Sequence, residues 1–244
     1  MPTTTIITIT TTGITTTITP TTLSRAATAT RVDEPAAAMP PDRLEDPEAI
    51  YAASFRTIRS EVDLARVPDD LCDLALRLIH SSGMTDLLDD LAWSDGAGGI
   101  GRVALARGAT IVTDVSMVEA GIARRRLRMD QRVRVAIAHP EAEHLAERTA
   151  TTRSAAGIEL ERTHLDGAVV AIGNAPTALF RLLDLVERDG VRPALVLGFP
   201  VGFVGAAESK EALSRQTGVP FVTLRGRRGG SAMAAAAVNA LLPG

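Results

Sequence analysis

The chain is nearly devoid of cysteine. Cys72 stands alone among 244 residues. No internal disulfide can form, which agrees with a reducing cytoplasm; at helical spacing with Ala75 and Ile79, Cys72 reads as a core position. No apolar run approaches the roughly 20 residues that a bilayer-crossing helix needs, so no membrane is expected as a partner. Neither sign of charge prevails: 26 Lys and Arg against 29 Asp and Glu leave a formal net charge of -3. That balance argues against general nucleic-acid binding. His139, His144 and His164 lack metal-ligand spacing, and no cysteine or carboxylate cluster completes a site, so no metal is expected. No serine sits in a G-x-S-x-G elbow, and G-x-x-x-x-G-K-[ST] is missing, which excludes a Walker phosphate loop.

What is present is ordinary globular composition, 45% hydrophobic and 23% charged, enough for one sizeable core. Residues 1–41 stand apart. Thr3 to Thr22 is mostly threonine and isoleucine, and no charge precedes Arg25. It lacks the basic start and the leucine- or alanine-rich centre of a signal peptide. With the Ala/Pro-rich Ala36 to Pro41 it reads as a low-complexity, disordered tail and linker, which leaves residues 42–244 as the folded domain. Asp46-Pro-Glu opens a helix with an N-cap, a proline at the first helical position and acid in the first turn. A second helix follows from Asp69 to Ile79. Strands are predicted at Thr110–Thr113, Val133–Ala138, Ala168–Ile172, Ala194–Leu197 and Phe221–Leu224, with helices between them. The alternation predicts an α/β three-layer sandwich whose mainly parallel, five-stranded sheet is flanked by helices.

Several segments could carry chemistry. The run Val169-Val-Ala-Ile-Gly-Asn-Ala-Pro176 reads as a buried strand, a turn, and a helix capped by Asn174 with amides free for a ligand. Ala194 to Lys210 repeats the logic, which suggests one cleft at the carboxyl edge of the sheet. Gly96-Ala-Gly-Gly-Ile-Gly101 is a literal G-x-G-x-x-G and could bind a dinucleotide only if a strand ended just before it. Asp86 to Ser94 reads as helix or loop, so these glycines read as a turn into a short helix at Arg102–Arg107. A nucleotide-dependent oxidoreductase stays open as an alternative on this segment. His80 closes its helix beside Ser81-Ser82-Gly83. Imidazole is the side chain that exchanges a proton near neutral pH, and a helix C-terminus favours its charged form. Asp114 at a strand end could orient a ligand or cap the next helix. Arg225-Gly-Arg227-Arg228-Gly229-Gly-Ser231 follows a strand, puts arginines before a serine N-cap, and suits anionic oxygens. Arg153, at another helix start, adds to that set.

Taken together these segments resemble the precorrin-8X methylmutase family. The resemblance rests on Ile50-Tyr-Ala-Ala-Ser-Phe55, Arg77-Leu-Ile-His80 with Gly83, Asp114, Met117-Val118, Gly121 and Thr152-Arg-Ser-Ala-Ala156. Its most specific parts are Ala171-Ile-Gly-Asn-Ala-Pro-Thr-Ala-Leu179, Pro200 to Lys210, and Gly226 to Ser231 with Asn239-Ala-Leu241. It implies an isomerase of corrin-ring (vitamin B12) biosynthesis that moves a methyl group from C11 to C12 of the macrocycle without a metal or organic cofactor. It implies a tetrapyrrole substrate, His80 as proton donor and acceptor, and Ser54 as a substrate contact. Asn174, Arg153, Arg225, Arg227, Gly229 and Ser231 would supply the rest of the substrate site. It also implies a homodimer with sites near the subunit interface. The metal-free and cobalt-containing branches of the family share these motifs. A non-catalytic corrinoid-binding protein is a further alternative, and His80 in its matching position argues against it.

Overall fold

The computed structural model describes residues 46–243, which belong to one unit, Leu44–Gly244. The expectation of a tail over 1–41 falls outside the described residues. Helix α1 (Pro47–Glu61) starts as its sequence dictates, with the Asp46 carboxylate accepting from the Glu48 and Ala49 amides. Helix α2 (Cys72–Ser82) continues from a single 3-10 turn at Asp69–Leu71 and ends at Gly83, whose φ of 69° is left-handed. Strand β1 (Leu91–Trp93) and helix α3 (Ala97–Ala106) come next, then β2 (Ile111–Thr113), α4 (Ser116–Ala120) and β3 (Val133–Val135). Helices α5 (Ala142–Thr149) and α6 (Arg153–Leu160) lead to β4 (Val169–Ile172) and α7 (Pro176–Arg188). The chain closes with β5 (Leu195–Gly198), α8 (Ala206–Arg215), β6 (Phe221–Leu224) and α9 (Ser231–Leu241).

The sheet has six strands rather than five, in the order β1-β6-β5-β4-β2-β3. The strand missed from sequence is β1, which pairs antiparallel with β6, Ala92 opposite Thr223. All other pairings are parallel. Three residues within an acidic, leucine-rich stretch give too little periodicity to announce a strand. The expected strand Val133–Ala138 is likewise shorter, because Ala136–Ala138 turns into 3-10 helix.

The buried strands are continuous apolar runs whose residues divide between two cores. Val169 and Ala171 of β4 and Leu195 and Leu197 of β5 face the core built with α2, α3, α4 and α9. Val170, Ile172 and Val196 face the core built with α6, α7 and α8. The result is the expected three-layer sandwich. Its strand order reverses between β2 and β4, so the carboxyl edge there is the crevice where such sheets hold ligands.

The glycine motif finds a structural use. A strand does end just before it, contrary to the reading of Asp86 to Ser94, but it is the antiparallel edge strand. A Cβ on Gly98 would lie 2.1 Å from the Asp70 carbonyl oxygen, and one on Gly101 would lie 2.6 Å from Leu195 and 2.8 Å from Leu241. The Asp70 carboxylate accepts from the Gly99 amide at 2.9 Å, occupying the place an anionic ligand would take. Gly98→Ala is therefore expected to cost about 1–3 kcal/mol in urea unfolding, because backbone must move. Gly99→Ala, with its nearest neighbour 3.9 Å away, should stay within about 0.5 kcal/mol of the parent.

Candidate active site

The Ser54 hydroxyl and the His80 Nδ1 are 2.8 Å apart. They come from α1 and α2, which pack side by side. Ser54 lies one turn from Ile50 and from Ile58, and Ile58 is buried in the α2-side core, so the serine faces α2. The imidazole is held on its flanks as well. Phe55 stacks on it with ring centres 5.3 Å apart and planes 14° from parallel, and Tyr51 tilts against it at 4.8 Å. With Nδ1 engaged, Nε2 has no hydrogen-bond partner among the described residues and is the nitrogen available to a ligand.

His80 is half-buried in the wall of a cavity of about 290 Å³, with Tyr51, Arg77 and Ser81 on one side and Gly121, Ala232, Ala235, Ala236 and Asn239 on the other. The far side is α9, whose alanines leave the space open. Its N-terminus follows β6 after the loop of residues 225–230, so the Ala232 end of the cavity lies toward the carboxyl edge of the sheet, but the glycine-broken strand ends after β4 and β5 do not line it. Asn239 is fixed from both ends of its amide: its Oδ1 accepts from Ala123 at 2.8 Å, and its Nδ2 donates to the Gly121 carbonyl at 2.8 Å.

The other residues singled out from sequence are placed as follows. Ser231 opens α9 one residue before Ala232, so it adjoins the cavity. Its neighbour Gly230 is the N-cap, and Ser231 is the first helical residue, a correction to the serine-cap reading. Asn174 does not cap α7 either; Ala175 occupies that position and makes no side-chain bond. The Gly173, Asn174 and Ala175 amides instead donate to the Asp114 carboxylate at 3.0, 2.8 and 2.8 Å. Asp114 is fully buried. Burial pushes its carboxyl up from the ordinary range while the three amide donors pull it down. It thus caps neither the following helix nor a ligand; it fills the strand-order crevice and ties β2 to the turn after β4.

Arg153 is exposed at the start of α6, where Thr152 supplies the cap and the guanidinium donates to the Ile137 carbonyl. Arg225 and Arg227 are exposed; Arg227 lies over the Phe203 ring at 5.4 Å. Arg228 is neutralised by Asp86 and Asp90. Gly229 lets two loops meet, since a Cβ there would lie 2.4 Å from the Phe199 carbonyl oxygen. None of Arg153, Arg225 and Arg227 lines the His80 cavity within one chain. Sequence reasoning did not single out Tyr51, Phe55, Arg77 or Asn239 as site residues. The available signal was spacing: Tyr51 and Phe55 bracket Ser54, and Arg77 precedes His80 by three, so they share helix faces.

One buried cation holds the loop before α9. Lys210, the only lysine in the chain, is fully buried on α8 and donates to the Arg228 carbonyl. Burial brings its ammonium down to about 8, against the attraction of Asp90.

A mainly parallel α/β sandwich with an oriented imidazole in a cavity toward the carboxyl edge is the framework of an α/β enzyme. The family model for precorrin-8X methylmutase matches residues 49–243. A precorrin-8X methylmutase of Pseudomonas aeruginosa is 56% identical over 201 residues, covering 82% of this chain and 97% of the relative. A cobalt-precorrin-8 methylmutase of Priestia megaterium is 37% identical, covering 80% of this chain and 87% of its own length. A crystal structure of a precorrin-8X methylmutase from Thermus thermophilus superposes with a TM-score of 0.70 at 38% identity, covering 80% and 94% of the two chains. The chain belongs to the precorrin-8X methylmutase family, isomerases of cobalamin biosynthesis.

The lysine yields a test with a defined sign. A folded-state value near 8 lies below the value near 10.4 of an unfolded lysine. Between those limits the unfolded chain binds the proton and the folded chain releases it, so the group's contribution to stability rises with pH across that window. The gap in unfolding free energy between the parent and Lys210→Met should shift in the parent's favour from pH 7.5 to pH 9.5.

Proposed function

We propose that this chain moves a methyl group from C11 to C12 of precorrin-8X, giving hydrogenobyrinate, with His80 as proton donor and acceptor and without a metal or organic cofactor. The observation that carries the reading is the His80 imidazole, clamped by Ser54, Tyr51 and Phe55 in the wall of the α2–α9 cavity. Protonating a ring nitrogen or imine makes the conjugated system electron-poor, which eases migration of the methyl group. General acid catalysis of this kind is worth about 10²–10⁴-fold, and holding the ring in a reactive shape supplies more. Ser54 serves that chemistry through the histidine. A hydroxyl both donates and accepts. Donating to Nδ1, it leaves the proton on Nε2; accepting from Nδ1, it stabilises the imidazolium. The choice of precorrin-8X over its cobalt counterpart is supported by identity: the relative named precorrin-8X methylmutase is 56% identical, the cobalt-precorrin-8 methylmutase of Priestia megaterium 37%.

The same reading includes a homodimer in a reducing cytoplasm. The lone Cys72 supports the compartment. The dimer is supported by the strongly exposed Phe203 and Val204 beside Arg227, and by the placement of Arg153, Arg225 and Arg227 away from the His80 cavity of their own chain. Sedimentation should give twice the 25.6 kDa chain mass.

Two variants test the roles of the pair. His80→Ala should lower turnover about 10²–10⁴-fold while binding of the coloured product, hydrogenobyrinic acid, stays within a few-fold of the parent. Unchanged turnover refutes the acid/base role. Ser54→Ala should lower kcat roughly tenfold, the worth of one hydrogen bond, and alter the pH profile with KM little changed. A raised KM with kcat intact would make Ser54 a substrate contact instead.

A further inference from the structure

The two helices that enclose the His80 cavity are bridged by an arginine at each end of their contact. At the far end Arg102 of α3 donates to the Asp70 carbonyl at 2.7 Å, in the turn that opens α2, and to the Ala240 carbonyl at 2.9 Å, in the last turn of α9. At the near end Arg228, in the loop before α9, donates to the Asp86 carboxylate at 2.8 Å and to the Asp90 carboxylate. Asp86 belongs to the short 3-10 turn Thr85–Asp89 that follows the Gly83 cap of α2, and the Met84 sulfur lies 4.0 Å from the same guanidinium. Helices α2 and α9 therefore run antiparallel, and Arg228 spans them at the end where His80 and Ala232 face each other.

Three features make the near end depend on this contact. The cavity face of α9 offers methyl groups, from Ala232, Ala235 and Ala236, so few side chains interlock there to fix its distance from α2. The loop of residues 225–230 includes Gly226 and Gly230 with φ of 77° and 130°, a backbone region that glycine enters freely and that holds a chain weakly. Among the described residues, the bonds of Arg228 are the ones that join residues 80–89 to residues 225–241. The backbone of Arg228 is itself anchored elsewhere. The buried Lys210 ammonium of α8 donates to its carbonyl, and the Gly230 amide donates to the Phe199 carbonyl at 2.8 Å. Arg228 thus reaches from a fixed point on α8 to the end of α2. Lys210, Asp90, Arg228 and Asp86 alternate in sign, so this contact is neutral and has no cation to spare for a ligand.

We propose that Arg228 is a positioning residue, whose guanidinium straps the end of α2 to the loop before α9 and so sets the width of the His80 cavity at its Ala232 end. The proposal rests on the function stated above and assigns to it a residue that need not touch the substrate. Its ion pairs are partly exposed, so the strap adds little to stability. Its effect lies in where the imidazole stands, and a misplacement of about 1 Å can cost about 10²-fold in rate.

The test compares the parent with Arg228→Gln, Arg228→Lys, Asp86→Asn and Arg228→Gln/Asp86→Asn. The readouts are kcat and KM with precorrin-8X, the His80 ring-proton resonances (identified by their loss in His80→Ala) and melting curves. Arg134→Gln breaks the ion pair with buried Glu161 at the opposite edge of the sheet and controls for lost stability alone. Arg228→Gln should lower kcat about 10–10²-fold with KM within a few-fold, shift the His80 resonances and leave the melting temperature nearly unchanged. Asp86→Asn should act in the same direction, and the double variant should match Arg228→Gln. Lysine keeps the charge but not the fork, so Arg228→Lys should recover part of the loss. Arg134→Gln should melt lower with kcat intact. Unmoved His80 resonances in Arg228→Gln overturn the strap whatever the kinetics. With an active parent, so does an unchanged kcat, a raised KM with kcat intact, a double variant whose loss is the product of the two single losses, or an equal kcat loss in Arg134→Gln; the proposed function stands in each of these cases. If the parent does not convert precorrin-8X, the proposed function fails and the resonances alone decide: shifted in Arg228→Gln and Asp86→Asn they uphold the strap, and unmoved they overturn it.

Discussion

The smallness of α9 is the constraint on which the site depends. This helix lies against β4 and β5 and is crossed by α2, α3 and α4. A conventional helix of leucines would hold those neighbours roughly 10 Å away. Alanines let them come closer, and the partners answer with glycines: a Cβ on Gly121 would lie 2.6 Å from the Ala235 methyl, and one on Gly173 would lie 2.9 Å from Ala234. The close approach sets α2 beside α9 and leaves between them a gap walled by methyl groups on one side and by His80 on the other. The cavity is thus what remains when bulky side chains are withheld from one face of a buried helix. Asn239 marks where that strategy ends, since its amide binds the backbone at Gly121 and Ala123 and fixes the α4 loop to the helix.

The histidine is built to keep its orientation. A lone imidazole at a helix end would rotate about two bonds. Here Phe55 and Tyr51 occupy its faces and Ser54 holds one nitrogen, and all three residues come from a single stretch of α1. Two of these neighbours are aromatic, so the imidazole sits in a partly desolvated box with Nε2 left without a hydrogen-bond partner among the described residues. An imidazole fixed in this way needs no reorganisation before its free nitrogen meets a ligand.

Much of this was legible in the sequence, and the exceptions have physical causes. Helices α1 and α7 announced themselves by proline at the first turn and by apolar spacing, and the parallel strands by β-branched runs. His80 and Ser54 were identified through the family's motif order; their mutual hydrogen bond was not, because a contact between residues 26 apart depends on how α1 packs against α2. The same limit hid Tyr51 and Phe55. Strand β1 was missed because an edge strand of three residues is defined by its partner β6 more than by its own composition. The caps at Asn174 and Ser231 were misplaced for a different reason. Each helix starts one residue away from the expected cap, at Ala175 and Gly230, which make no side-chain bond, and the Asp114 carboxylate stands in competition with any outside anion for the Gly173, Asn174 and Ala175 amides.

That competition explains which anion-binding signals in this chain point to a ligand. A glycine-rich turn, a helix start after a strand, and Arg228 of the arginine loop all present donors, and each of these is satisfied from within. Asp70 takes the amide of the glycine turn, Asp114 takes the three amides before α7, and Asp86 with Asp90 takes Arg228. Buried donors must find acceptors whether or not a substrate is bound, so a stable fold supplies its own where it can. An anion would have to displace a covalently tethered carboxylate at each of those places. The wall formed by Arg77, Arg125 and Arg126 is built the other way. Its cations are crowded and free of ion pairs among the described residues, and Arg77 leans on the Tyr51 hydroxyl and the Phe55 ring instead of on a carboxylate.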